Sequence, residues 1–145
     1  MFIGEYNHTV DGKGRVSLPA RFREDLKDDF YITRGMDNCL FIYDKDEWTK
    51  MDEKIRSLKL TKRAARDFSR LFYAGAMEIN FDKQGRILIP PHLREFGKIE
   101  KDVVIVGVSS RIEIWSKDNW DKYIGEDSMN YDDLTEKLDE FDFDL

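Results

Sequence analysis

Apolar and polar positions fall into short runs along the chain, and the runs occur twice in the same order. A strand-like run at 4–10 ends in the polar, glycine-bearing turn 11–14, and a second short strand, Arg15–Leu18, follows at once. The order returns as a strand at 75–81, a turn at 82–85 and a strand at Arg86–Ile89. Strand, short glycine turn and strand together predict a hairpin in each copy. Pro19 and Pro90 come next, in the first turn of a short helix, where a missing N–H is tolerated. Gly97 is placed to stop the second of these helices. Further apolar runs near 30–34 and 39–43, and near 102–107 and 111–115, predict two more strands per copy. Asp44 and Ser116 are candidate N-caps of the helices that close each copy and carry Trp48 and Trp120, both expected in the core.

The repetition extends to residue identity. Asp11–Glu24 aligns with Asp82–Glu95 at a constant offset of 71, with six of fourteen positions identical: Asp11/Asp82, Gly14/Gly85, Arg15/Arg86, Pro19/Pro90, Arg23/Arg94 and Glu24/Glu95. Val16/Ile87, Leu18/Ile89 and Phe22/Leu93 keep their apolar character, and Gly4 matches Gly75. Leu40–Trp48 matches Ile112–Trp120 at an offset of 72, one residue having been inserted between the blocks. Two copies imply a fused pair and not a solenoid. A half of this size leaves apolar surface unburied, so the two are expected to complete one shared β core.

Between the copies the period becomes helical. Trp48, Met51, Ile55 and Leu58 form a stripe at i, i+3, i+7 and i+10. Thr61 is a candidate cap for a second helix, with Ala64, Phe68, Leu71 and Phe72 on one face and Lys62, Arg63, Arg66 and Arg70 elsewhere. The chain therefore divides into a first repeat at 1–50, a helical segment at 51–73, a second repeat at 74–125 and an acidic, flexible tail at 126–145.

Charge sharpens this division. The net charge is -6, yet residues 126–145 hold nine acids against Lys137 alone, so removing their -8 leaves +2 for residues 1–125. Lys54–Arg70 carries seven bases and one acid, Asp67. That basic set is open to three readings: a DNA contact, a solvated face, or a partner surface for acids on a neighbouring subunit. The tail, in which Phe141, Phe143 and Leu145 alternate with acids, is read as a solvated end, as a segment that binds basic surfaces, or as a mimic of DNA that shields the basic body.

Composition excludes several classes. An apolar fraction of 41% and an aromatic fraction of 13% suffice for a packed core. No run is long enough to cross a bilayer. The opening Met1–Glu5 lacks the basic-then-apolar order of a secretory signal, so a cytoplasmic protein is expected. Cys39 is the only cysteine, so an internal disulfide is impossible, and its apolar run predicts a buried thiol and not a reactive one. No metal and no cofactor are expected. Carboxylates are abundant, but none pairs with histidine, serine or cysteine in a nucleophile or metal pattern. Gly12–Arg15 is too short for a phosphate-binding P-loop. The chain is not expected to be an enzyme.

The strongest constellation is Asp-x-x-Gly-Arg, present twice, each time at a turn. Gly14 and Gly85 permit positive φ and a close backbone approach. Arg15 and Arg86 are forked cations suited to phosphate or a guanine edge, with Lys13 and Lys83 beside them. Arg21, Arg23 and Arg94 follow as possible further phosphate contacts. Asp11 and Asp82 could instead form local ion pairs that only brace each turn, which when exposed contribute ~0–1 kcal/mol. In an intermediate arrangement the aspartate orients the arginine and the arginine contacts nucleic acid. An oligomeric interaction scaffold or an antitoxin-like module is the competing class.

The segments Asp11–Arg23 and Asp82–Arg94, with the opening Phe2–Tyr6 and the inter-repeat helices, resemble the two signature segments of the MraZ family, relatives of AbrB- and SpoVT-type bacterial DNA binders. The resemblance covers about residues 1–125, and the acidic tail departs from it. It implies an α+β, mainly β fold: a double-split β-barrel of two tandem AbrB-like swapped-hairpin half-domains with peripheral helices. It further implies a ring of many subunits, associated with the nucleoid. Such a ring would bind short direct repeats of double-stranded DNA in the promoter of its own division and cell-wall gene cluster, usually repressing it. Asp11, Arg15, Asp82 and Arg86 would then lie at the DNA surface. Replacement of Arg21 by His92 points to unequal halves.

Overall fold

The computed structural model describes residues 1–143. The first half runs β1 (Phe2–Thr9), β2 (Arg15–Ser17), α1 (Ala20–Leu26), β3 (Phe30–Arg34), β4 (Leu40–Tyr43), α2 (Lys45–Arg56) and α3 (Arg63–Gly75). The second runs β5 (Met77–Ile79), β6 (Arg86–Leu88), α4 (Pro91–Phe96), β7 (Asp102–Ser109), β8 (Arg111–Ser116), α5 (Lys117–Ile124) and α6 (Tyr131–Lys137), with a 3-10 turn at Leu138–Phe141. Both halves have the same element order, ββαββαα. The acidic segment, read from sequence as a flexible tail, therefore contains the counterpart of α3.

The predicted hairpins do not form. The 11–14 turn closes as expected, but β1 pairs along its whole length with β7, from Phe2 opposite Ser109 to Thr9 opposite Asp102. Likewise β5 pairs with β3, and β2 with β6. The first strand of each copy thus adds to the third strand of the other. The result is a six-stranded antiparallel sheet, β1-β7-β8-β4-β3-β5, and a separate ribbon, β2-β6. Exchanging the two copies leaves this order unchanged, so a pseudo-twofold passes between β4 and β8 and through the ribbon. The fold is α+β and mainly strand, and among the described residues no ladder joins β1 to β5 to close a barrel. A turn signal specifies where the chain reverses, whereas the partner of each strand is set by the shared core.

That core lies between the sheet and the ribbon. Alternation sends Leu40 and Ile42 of β4, and Ile112 and Ile114 of β8, to one face, where they meet Val16, Ile87, Phe22 and Leu93. Phe41, Tyr43 and Trp115 point to the other face, where Ile55 of α2 and Phe72 of α3 complete a second cluster. Trp48 stacks on Tyr31 at 4.7 Å and on Phe72 at 5.5 Å, and Trp120 meets Trp115 edge-on at 5.3 Å. Both tryptophans are half-buried and pack on this second cluster. Cys39 is buried within it, and burial pushes its thiol pKa far up.

Local signals hold with small shifts. Asp44 and Ser116 cap α2 and α5, accepting from the N–H of Glu47 at 2.8 Å and of Asn119 at 3.1 Å. Pro19 and Pro90 stand one residue earlier than expected, at the N-caps, and Pro91 takes the first helical position. Gly97 ends α4, although the left-handed residue is the following Lys98 at φ 52°. Thr61 does not cap α3, whose N-cap is Lys62 with no side-chain hydrogen bond. Leu58 and Leu71, assigned to apolar stripes, are exposed.

Pairing of β1 with β7 sets Gly4 opposite Gly107. A Cβ on Gly107 would collide with the backbone of Phe2 and Ile3. Gly107→Ala is therefore expected to lower stability by about 1–3 kcal/mol, the usual cost of overpacking, read as a fall in thermal midpoint. An unchanged midpoint would show that the exchanged strand is free to shift.

Candidate nucleic-acid interface

The two Asp-x-x-Gly-Arg turns are built alike, and in each the aspartate organises the loop. Asp11 Oδ1 accepts from the backbone N–H of Lys13 and of Arg15, both at 2.9 Å, and its Oδ2 accepts from Arg15 Nε at 2.7 Å. Asp82 Oδ1 accepts from Gln84 N–H at 2.8 Å and Arg86 N–H at 2.9 Å, and its Oδ2 from Arg86 Nε at 3.0 Å. The loops are closed by Asp11 N–H to the Arg15 carbonyl at 2.9 Å and Asp82 N–H to the Arg86 carbonyl at 2.8 Å. Gly14 (φ 86°) and Gly85 (φ 75°) sit in the left-handed region that a side chain would resist.

The ribbon brings these turns together. Arg15 pairs with Leu88, Val16 with Ile87, and Ser17 with Arg86. Since Val16 and Ile87 are buried, alternation turns Arg15, Ser17, Arg86 and Leu88 outward on one face. Arg86 Nη1 also lies 3.6 Å from Asp11 Oδ2, so one aspartate is shared by arginines from both copies. Ile89 N–H donates to the Gly14 carbonyl at 2.9 Å, a further tie between copies.

Arg23 and Arg94 hold the turns from behind. An added Cβ on Gly14 would stand 2.6 Å from Arg94 Cζ, and one on Gly85 would stand 3.3 Å from Arg23 Cδ. Each arginine thus lies over the turn of the other copy. Arg23 Nη1 donates to the Leu18 carbonyl at 2.8 Å, while Arg94 Nε is buried without a partner among the described residues. Both are half-buried, whereas Arg21 is exposed on α1. Its counterpart His92 instead reaches the Gly75 carbonyl, 3.0 Å from Nε2. Sequence reasoning found these arginines but not their contact across the copies. The signal was present: each follows its repeat's glycine by the same nine positions.

Electrostatically, the surface is cationic around two fixed anions. Hydrogen bonds from the Arg15 backbone, above all, with those from the Arg15 side chain and Lys13 backbone, bring Asp11 down to about 2. The Arg86 backbone does the same to Asp82, which is also lowered. Each aspartate engages its own arginine through Nε, and Arg86 Nη1 also lies near Asp11, while no terminal nitrogen of Arg15 is hydrogen-bonded among the described residues. Lys13 and Lys83 stand exposed at the tips. Oriented guanidinium forks flanked by lysines suit phosphate oxygens and base edges.

Because Asp11 is acidified by the fold, the stability it lends is complete above the ordinary aspartate value, 3.8, and is lost as pH falls through about 2. The lowered Asp82 contributes in the same direction. A carboxyl-detected NMR titration is expected to give Asp11 a midpoint near 2. A midpoint at the ordinary value would mean that the turn is not held by its aspartate in solution.

Comparison with known proteins extends over nearly the whole chain. A family model described as "MraZ protein, putative antitoxin-like" matches twice, at residues 1–71 and 72–142. The match takes in most of the acidic segment, which the resemblance of the signature segments did not reach. A protein of Caldanaerobacter subterraneus subsp. tengcongensis named transcriptional regulator MraZ is 55% identical over 141 residues, covering 97% of this chain and 99% of its own. Proteins of the same name from Moorella thermoacetica and Thermoanaerobacter sp. are 53% and 52% identical, covering 98% and 97% of this chain and 99% and 98% of their own. With both repeats matched and relatives aligned nearly end to end, the chain belongs to the MraZ family.

Proposed function

We propose that this protein is a DNA-binding transcriptional regulator, without catalytic activity, whose β2-β6 ribbon meets double-stranded promoter DNA. The observation that carries the reading is the shared face on which Asp11 and Asp82 orient Arg15 and Arg86 outward between Lys13 and Lys83. A two-stranded ribbon fits the B-DNA major groove, and its arginines suit guanine edges or the phosphates beside them. Gly14 and Gly85 allow the close turns. Arg23 and Arg94 support the ribbon from behind, and Arg21 is the one of the three flanking arginines best exposed for a phosphate. The names of the relatives support regulation of transcription.

The finer reading is a repressor of its own division and cell-wall gene cluster, cytoplasmic and bound at the nucleoid. It acts as a ring of swapped-hairpin, double-split barrels on direct promoter repeats. One subunit's few phosphate contacts would bind weakly and with strong salt dependence. Successive subunits on successive repeats gain effective concentration without new contacts. The scaffold or antitoxin-like alternative draws on the second half of the family description, and it predicts a folded oligomer with no affinity for the promoter.

Binding to the chain's own upstream promoter, titrated with salt, separates these readings. Arg15→Ala with Arg86→Ala is expected to cost about 1–3 kcal/mol for each arginine that reads a base and to flatten the salt slope by about 1 for each phosphate no longer neutralised. Persistence of wild-type binding in that variant would move the DNA surface elsewhere. In the same assay one promoter repeat is expected to bind roughly 100-fold or more weakly than the spaced array; equal affinities would refute the multivalent ring.

A further inference from the structure

Helices α3 and α6 hold equivalent places in the two halves but have opposite charge and unequal packing. In the first half α3 is fastened down: Thr33 Oγ1 donates to the Phe72 carbonyl at 2.7 Å, Arg34 Nη1 to the Leu71 carbonyl at 2.6 Å, and Phe72 stacks on Trp48. Its outer side presents the exposed Arg63 and Arg70, with the half-buried Arg66 beside them donating Nη1 to the Leu60 carbonyl at 2.9 Å. Leu71 is exposed on the flank of this basic face, while Phe68 lies toward the packed side, stacked on Phe72. Arg63 has only the 3.7 Å ion pair with Asp67. A basic face flanked by an exposed leucine is left uncovered.

The second half offers the complement. No residue of α6 is buried, and among the described residues every hydrogen bond within 130–143 stays inside that segment. Asp132, Asp133 and Glu136 of α6, with Asp139 and Glu140 of the turn behind it, stand against Lys137 alone. Tyr131 and Phe141 are 77% and 74% exposed, an arrangement that leaves large apolar rings in water unless another surface takes them.

We propose that the acidic α6 segment of one copy docks on the basic outer face of α3, beside Leu71, in the next copy. Such a contact is heterologous, because the two surfaces differ, and it leaves each subunit with one of each still open. Repetition of it gives a ring when the rotation closes. Leu71, Tyr131 and Phe141 supply the burial, and the opposed charges set orientation and exclude α3–α3 and α6–α6 pairings. The inference rests on the ring reading above and supplies the joint for it. It also gives the uncommitted basic helix an occupant other than DNA.

The test uses the full-length chain and two double charge reversals, Arg63→Glu with Arg70→Glu, and Asp132→Lys with Asp133→Lys. Assembly is read by native mass spectrometry and fold by circular dichroism. Each variant alone is expected to remain folded and to associate at least tenfold more weakly than wild type. A 1:1 mixture of the two is expected to reassemble, because every reversed face then meets a reversed partner. Wild type that is monomeric would defeat the ring reading and the docking together. Wild type that assembles while both variants assemble equally well would defeat only the docking. Dissociated variants that the mixture fails to restore would overturn it too. So would an intact assembly of the Arg63→Glu, Arg70→Glu variant that no longer binds the promoter, which would assign α3 to DNA.

Discussion

Each half of this molecule is completed by a strand from the other. β1 has its whole ladder with β7, and β5 with β3, so neither repeat can form its sheet alone. The same exchange brings β2 beside β6, and that short ribbon holds the two Asp-x-x-Gly-Arg turns in fixed relation. Everything proposed for the DNA surface follows from this pairing. Were each copy to close on itself as a hairpin, Arg86 could not lie 3.6 Å from Asp11, nor Arg94 cover Gly14.

Stability and the site are coupled through the buried layer under the ribbon. Val16 and Ile87 face the core between the arginines that face out, so the outward geometry is fixed by burial on the opposite side. The aspartates act one level above. Their paired hydrogen bonds to backbone and to Nε convert a flexible guanidinium into an oriented one before any ligand arrives, which lowers the ordering cost of binding. The geometry suits the intermediate arrangement, in which the aspartate orients the arginine: the Nε edge is held by carboxylate and, for Arg15, the terminal nitrogens have no hydrogen bond among the described residues.

Local features were legible because their causes are local. The turn glycines, the caps Asp44 and Ser116, the strand positions and the buried Cys39 all follow from residue chemistry and periodicity. Strand partners did not follow, since a tight turn such as 11–14 fits a hairpin and a crossover equally well. Helix α6 was missed for a different reason. It carries acids where α3 carries bases, and none of its residues is buried, so its kinship with α3 shows in the element order and the second family match at 72–142. Thr61 misled because a plausible cap one residue early competes with an uncapped start at Lys62.

The pseudo-twofold through the ribbon has one more consequence. A symmetric dimer of identical chains presents two equivalent halves and cannot itself tell one direction along a duplex from the other. Here the two halves share a peptide chain, so each can drift without the other. Gly12-Lys13 faces Lys83-Gln84 at the tips, and Arg21 faces His92 on the flanking helices. Fusion therefore releases the surface from symmetry: under the DNA-binding reading proposed above, a single subunit would distinguish the two directions along a duplex, and a row of subunits would all point the same way.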